Sequence, residues 1–71
     1  MFEILRQAAA EHDVTVADIL SASRSRSVVA ARWAVWRALT GRGWSRAAIA
    51  RAFGVDWASV HHALRGHRGK A

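Results

Sequence analysis

Proline is absent from this chain and no glycine occurs before position 41, so the first forty residues contain none of the strongest helix breakers. Gly41, Gly43, Gly54, Gly66 and Gly69 all fall in the second part, and the punctuation of the chain belongs there. Apolar residues recur every three to four positions rather than every two, which predicts helices and no sheet. A chain of 71 residues has room for one core, because domains this short bury only about 60% of their unfolded surface. Much of the 52% hydrophobic content is alanine, which leaves a thin set of Val, Ile, Leu, Phe and Trp for the interior. The lack of cysteine removes disulfide staples and thiolate metal sites. No apolar run approaches the roughly 18–20 residues that span a bilayer, and Glu3 precedes any stretch resembling a signal sequence. The expectation is a single all-α domain over residues 1–71, a compact bundle of about five helices, in the cytoplasm.

Residues 2–20 read as supporting helices. From Phe2 to about His12, Ile4, Leu5, Ala8 and Ala9 form one stripe of a short amphipathic helix ending at His12–Asp13. Thr15, with Asp18 three residues on, has the spacing of a capping box and predicts a helix of one to two turns, with Val14, Val16, Ile19 and Leu20 facing inward. Residues 21–27, Ser-Ala-Ser-Arg-Ser-Arg-Ser, have no apolar period, and their serines compete for backbone hydrogen bonds, so they read as a basic loop whose Ser27 caps the next helix. Residues 28–40 form that long central helix, with Val29, Arg32/Trp33, Trp36 and Leu39/Thr40 in step and Gly41 as its left-handed terminator. Trp33 and Trp36 fit a core face; stacking on an unpaired base is the other use of such rings, though stacking platforms favour exposed loops and sheets.

Residues 45–66 carry the most specific local pattern. Ser45 caps a helix from Arg46 to Phe53, Gly54-Val55-Asp56 make a tight turn, and a second helix begins at Trp57, with Asp56 as its cap and the Asp56 carboxylate at the positive end of the dipole. This is the layout of a helix-turn-helix. Ile49 and Phe53 share a face of the first helix, and Trp57, Val60 and Leu64 share a face of the second. That leaves Ala58, Ser59, His61, His62 and Arg65 directed wholly or partly outward. Small, hydroxyl, imidazole and guanidinium side chains on one exposed face suit a helix that meets base edges in the major groove. An ordinary αα-hairpin with a solvated face is the plainer reading of the same residues.

Charge favours the first of these. The formal net charge is +6, which points to a polyanion. Residues 1–18 hold Arg6 against Glu3, Glu11, Asp13 and Asp18, a net of −3, whereas residues 19–71 hold ten Lys/Arg against Asp56 alone, a net of +9. One end supports and the other binds. Ten of the eleven basic residues are arginine, whose planar fork suits phosphate oxygens and guanine edges, although a coding bias toward Arg and Ala would account for the choice of Arg over Lys.

The segments Val16-Ala17-Asp18-Ile19-Leu20-Ser21, Arg24-Ser25-Arg26-Ser27-Val28 with Arg32, Ala52-Phe53-Gly54, and Asp56-Trp57-Ala58-Ser59-Val60-His61-His62-Ala63 together resemble one family. That family is the C-terminal, origin-binding domain of the bacterial replication initiator DnaA, an all-helical variant of the helix-turn-helix fold. The resemblance implies that Arg24 enters the minor groove, that Arg26 lies beside it on the backbone, and that Arg32 contacts phosphate. It implies base contacts in the major groove for Asp56, Ser59 and His62. Trp57 and Ala58 stand where the family has His and Thr, which removes one donor pair, while the Ala58 methyl can still meet a thymine methyl. The family's Gly-Gly-Arg before the aspartate is shortened here to Gly54-Val55.

The resulting DNA-contact set is Arg24, Arg26, Arg32, Arg46, Asp56, Trp57, Ala58, Ser59, His61, His62 and Arg65, with residues 57–65 in the major groove of double-stranded DNA and the 24–26 loop in the minor groove. No Walker pattern occurs in the chain, so ATP hydrolysis does not follow from the resemblance. Met1 fits a natural start, and the altered reading helix favours a nucleoid-associated transcription regulator that reuses the module. An origin-binding domain and a protein-interaction helical module are the alternatives, the latter using the acidic first helix through Glu3, Glu11 and Asp13. Catalysis is not expected: there is no cysteine nucleophile, and Ser59 near His61 and His62 has no acid partner beyond Asp56. Nor is a metal or other cofactor, because His61, His62 and His67 lack the i, i+3 or i+4 spacing of a helical metal site. His61 and His62 remain either base contacts or solvated surface histidines. Interfacial membrane binding is disfavoured by tryptophans spread over three segments, each with a core role to fill.

Overall fold

The central element is a helix of 16 residues, about 24 Å at 1.5 Å per residue, a length comparable to the 25 Å longest extent of the fold. The computed structural model describes residues 1–68, with side chains through Arg65. The described residues form five helices, α1 (Phe2–His12), α2 (Val16–Leu20), α3 (Arg26–Gly41), α4 (Arg46–Phe53) and α5 (Trp57–Arg68), and no strand. All four other helices pack against α3, so the all-α, five-helix expectation holds. Among the described residues no helix is long and apolar enough to cross a membrane.

The capping box predicted at Thr15 is present. Thr15 Oγ1 accepts from the Asp18 N–H at 3.0 Å, and the Asp18 carboxylate accepts from the Thr15 N–H at 3.2 Å. A helix of five residues does not persist alone; α2 depends on this cap and on Ile19, which is fully buried.

Three helices end on one device. Asp13, Gly43 and Gly54 take left-handed backbone angles with φ of 57°, 95° and 65°. The next N–H then reaches back five residues: Val14 to Ala9 at 3.0 Å, Trp44 to Leu39 at 3.1 Å and Val55 to Ala50 at 3.0 Å. In this Schellman closure the residue after the left-handed one carries an apolar contact, and Val14, Trp44 and Val55 all pack against the core. The same device explains why Gly41, expected to terminate α3, stays helical while Gly43 turns. A left-handed Gly41 would hand the apolar position to Arg42, whereas Gly43 hands it to Trp44.

Other boundaries and faces also differ from expectation. Ser25, not Ser27, precedes α3, so Arg26 and Ser27 are helical and the loop shortens to residues 21–25. The inward stripe of α3 is Val28, Ala31, Val35, Trp36 and Leu39. Of the expected line Val29, Arg32/Trp33, Trp36 and Leu39/Thr40, Trp36 and Leu39 are buried, while Val29, Arg32 and Trp33 are half-buried and Thr40 is exposed. Leu20, expected inward, is 47% exposed, and Trp57, expected beside Val60 and Leu64, is 51% exposed. Val60 and Ala63 define the buried face of α5, with Leu64 half-buried; at 100° per residue Trp57 sits about 60° round from Val60, at the rim. α5 runs through Gly66 without a break, and Gly69 lies outside the described residues.

Candidate nucleic-acid interface

The Ser21–Ser25 loop is tied to its own backbone by alternate serines. Ser21 Oγ donates to the Asp18 carbonyl at 2.6 Å and accepts from the Ser23 N–H at 3.1 Å, and Ser23 Oγ accepts from the Ser25 N–H at 3.3 Å. Arg24 lies between the turned-in serines and is exposed. Arg26 is the first residue of α3 and is also exposed.

Arg32 fastens this loop to α3. Its Nε donates to the Ile19 carbonyl at 2.9 Å, and its Nη2 donates to the Ser21 carbonyl at 2.7 Å and, at 3.5 Å, to that of Asp18. The last carbonyls of a helix have no partner within it, and a cation there also complements the dipole. Burial pushes the Arg32 guanidinium below its ordinary value, but arginine keeps its proton in proteins. The side chain expected on phosphate is therefore engaged as a strut between α2 and α3.

The α4–α5 unit has the predicted layout. Ser45 Oγ accepts from the Ala48 N–H at 3.1 Å, and Gly54-Val55-Asp56 link the two helices. At the start of α5 the Asp56 carbonyl accepts from the Ser59 and Val60 N–H groups at 3.1 and 3.4 Å; no hydrogen bond to its carboxylate is found among the described residues. Arg46 is half-buried at the first position of α4, and its buried Nε has no hydrogen-bond partner among the described residues.

At 100° per residue the open arc of α5 runs from Trp57 and His61 at one rim, through Arg65, Ala58 and His62, to Ser59 at the other. Ala58, Ser59, His62 and Arg65 are exposed and His61 is half-buried. Trp57 and His61 stack at 4.7 Å between ring centres with an 11° tilt, a contact set up by their i, i+4 spacing. His61 Nδ1 is buried and has no hydrogen-bond partner among the described residues.

Between the loop and α5 lies a cleft of about 680 Å³. Ser21, Ser23 and Arg24 line it on one side, Ser59 and His62 on the other, and Arg32, Trp33, Trp36 and Phe53 lie between them. A second concavity of about 570 Å³ joins Arg24 and Arg26 to Val29 and Trp33. The structure thus brings Arg24, Arg32, Ser59 and His62 to one cleft; Trp57, His61 and Arg65 are not part of its lining. Sequence reasoning misses the aromatic wall, because helical spacing assigns Trp33 and Phe53 to the core and they enter it only in part. No metal-binding group of three His, Cys, Asp or Glu forms among the described residues. Set against known proteins, the chain matches no family model, no curated relative and no solved structure.

Proposed function

We propose that this domain binds double-stranded DNA with sequence preference through its α4–α5 helix-turn-helix, as the DNA-reading part of a transcription regulator. The observation that carries the proposal is the shared cleft: Arg24 of the loop and Ser59 and His62 of α5 line one concavity, so the two segments that the DnaA resemblance assigns to adjacent grooves lie on one side of the domain. In this reading α5 enters the major groove and offers the Ser59 hydroxyl, the His62 imidazole and the Ala58 methyl to base edges. Arg24 enters the neighbouring minor groove, where narrow A·T-rich stretches attract a guanidinium. Arg26, Arg46 and Arg65 supply charge toward the phosphates. A Trp and an Ala at positions 57 and 58, in place of the family's His and Thr, favour a target other than the initiator's own box.

The test is selection of bound duplexes from a randomised pool at about 150 mM salt, followed by anisotropy titration of the winner, a scrambled duplex and the initiator's box. A distinct enriched motif is the expected result, with Ser59→Ala and His62→Ala each costing about 1–3 kcal/mol on that motif and little on random DNA. Enrichment of the initiator's box would replace the regulator with an origin-binding role. No enrichment would refute sequence reading.

A further inference from the structure

The cleft has a chemistry that base reading leaves unused. Its accessible floor is apolar and largely aromatic, built from the half-buried Trp33 and Phe53 with Val29 and Val55, and backed by the buried Trp36 and Ile19. Phe53 stands edge-on to Trp36 at 5.7 Å and 84°, an arrangement that holds both rings in place. The rim is different. It is formed by Arg24, Arg32, Ser59 and His62, and no Asp or Glu lines it among the described residues. Arg32 is fixed by its bonds to the Ile19 and Ser21 carbonyls, so its charge is in position before any ligand arrives.

These two halves select a ligand class. A volume of about 680 Å³ lies within the roughly 300–1,000 Å³ of small-molecule sites, which combine apolar walls with a few placed polar groups. A phosphodiester would satisfy the rim and leave the aromatic floor wet. A neutral ring would cover the floor and leave two guanidinium groups without a counter-charge, and a cation would be repelled by them. A flat apolar body bearing one negative charge satisfies both.

We propose that the cleft binds a small planar aromatic carboxylate, its ring on the Trp33–Phe53 floor and its carboxylate on Arg24, and that occupancy excludes DNA. The exclusion rests on the DNA-binding reading, since the same Arg24, Ser59 and His62 would be engaged. The ligand site itself does not.

The test uses the full chain labelled with ¹⁵N and titrated with 2-naphthoate, read through the indole N–H resonances of its tryptophans. Trp33 and Trp36 line the cleft, while Trp44 and Trp57 lie outside its lining. Saturable shifts confined to Trp33 and Trp36 are expected, with 2-naphthamide and Arg24→Gln each weakening the interaction about tenfold, the size of one charge-assisted hydrogen bond. The absence of saturable shifts, equal movement of all these resonances, or naphthamide binding as tightly as naphthoate would overturn the site. Full affinity in Arg24→Gln would overturn the seat of the carboxylate. In a second arm, naphthoate added to a labelled duplex complex releases the duplex with an inhibition constant equal to the Kd from the resonances. A duplex that stays bound while the cleft is saturated overturns the exclusion alone. If the chain binds no duplex, the DNA reading and the exclusion fall together, and the resonances still decide the ligand.

Discussion

Replacing Arg32 with alanine separates a strut from a phosphate contact. The side chain makes two short hydrogen bonds to backbone carbonyls, 2.9 Å to Ile19 and 2.7 Å to Ser21. Hydrogen bonds involving a charged group contribute about 1.5–3 kcal/mol each when buried. Arg32 is only partly buried, and in Arg32→Ala water would take over part of what the carbonyls need. Roughly half the summed value, about 2 kcal/mol, is then the expected loss. A chain of this length has a total stability of about 4–10 kcal/mol, so the variant still folds. Its Tm falls by about 8–16 °C, at 4–8 °C per kcal/mol for a small domain. Arg32→Lys recovers little of this, because an ammonium lacks the fork that spans both carbonyls.

The assay is urea denaturation monitored by far-UV circular dichroism, paired with DNA affinity as a function of salt for the folded variant. A phosphate contact adds about 0.9 to the slope of log K against log salt. As a strut, Arg32 leaves that slope unchanged while stability and affinity both fall. Arg26→Ala gives the opposite pattern, a stability change within about 0.5 kcal/mol and a slope reduced by about 0.9. A stability loss below about 0.5 kcal/mol in Arg32→Ala, together with a reduced slope, would refute the assignment and return Arg32 to the phosphate backbone.

Asp13 is the non-glycine residue that adopts a left-handed angle among the described residues, with φ of 57°, so Asp13→Gly raises stability by about 1 kcal/mol; a urea midpoint that fails to rise contradicts this. Val60 is fully buried at the base of α5, and Val60→Ala costs about 1.5–3 kcal/mol of stability while the ratio of specific to random DNA affinity holds; a changed ratio in the folded protein would mean that the reading face had moved. Ser59→Leu covers part of the aromatic floor, gains about 0.5–1 kcal/mol, and abolishes both base discrimination and naphthoate binding. Unchanged stability in that variant would show that a leucine at position 59 does not reach the floor.

How far each feature is legible in the sequence depends on the range of the interactions that make it. The Thr15–Asp18 capping box, the Ser45 cap, the end of α1 at Asp13 and the Gly54 turn depend on neighbours within about four residues, and each lies where the residues predict it. Gly41 and Gly43 both satisfy the local rule for ending α3; only the need to seat Trp44 against the core separates them. The three-residue spacing of Trp57 to Val60 points it inward, yet at the first turn of α5 it projects past the packed face and rests on His61. Arg32 gives no local sign of its role, since its acceptors lie eleven to fourteen residues away in a helix that arginine itself helps to finish. The cleft is of the same kind: its residues come from α2, the loop, α3, α4, the turn and α5, and no window of sequence contains them.

The open cleft also shows where a thin core leaves apolar surface uncovered. α1 contributes Ile4, Leu5, Ala8 and Ala9 to the interior and no residue to the cleft. Trp33, Phe53 and Val55 enter the core only in part and leave the rest of their surface at the cleft, although closing it would bury that area at about 25 cal/mol per Å². The loop is kept from closing because it is already satisfied: its serines bond to its own backbone, and Arg32 holds its root at Ser21. The charge is divided along the same line. Glu3, Glu11 and Asp13 are exposed on or beside α1, and the arginines cluster in the remainder of the chain.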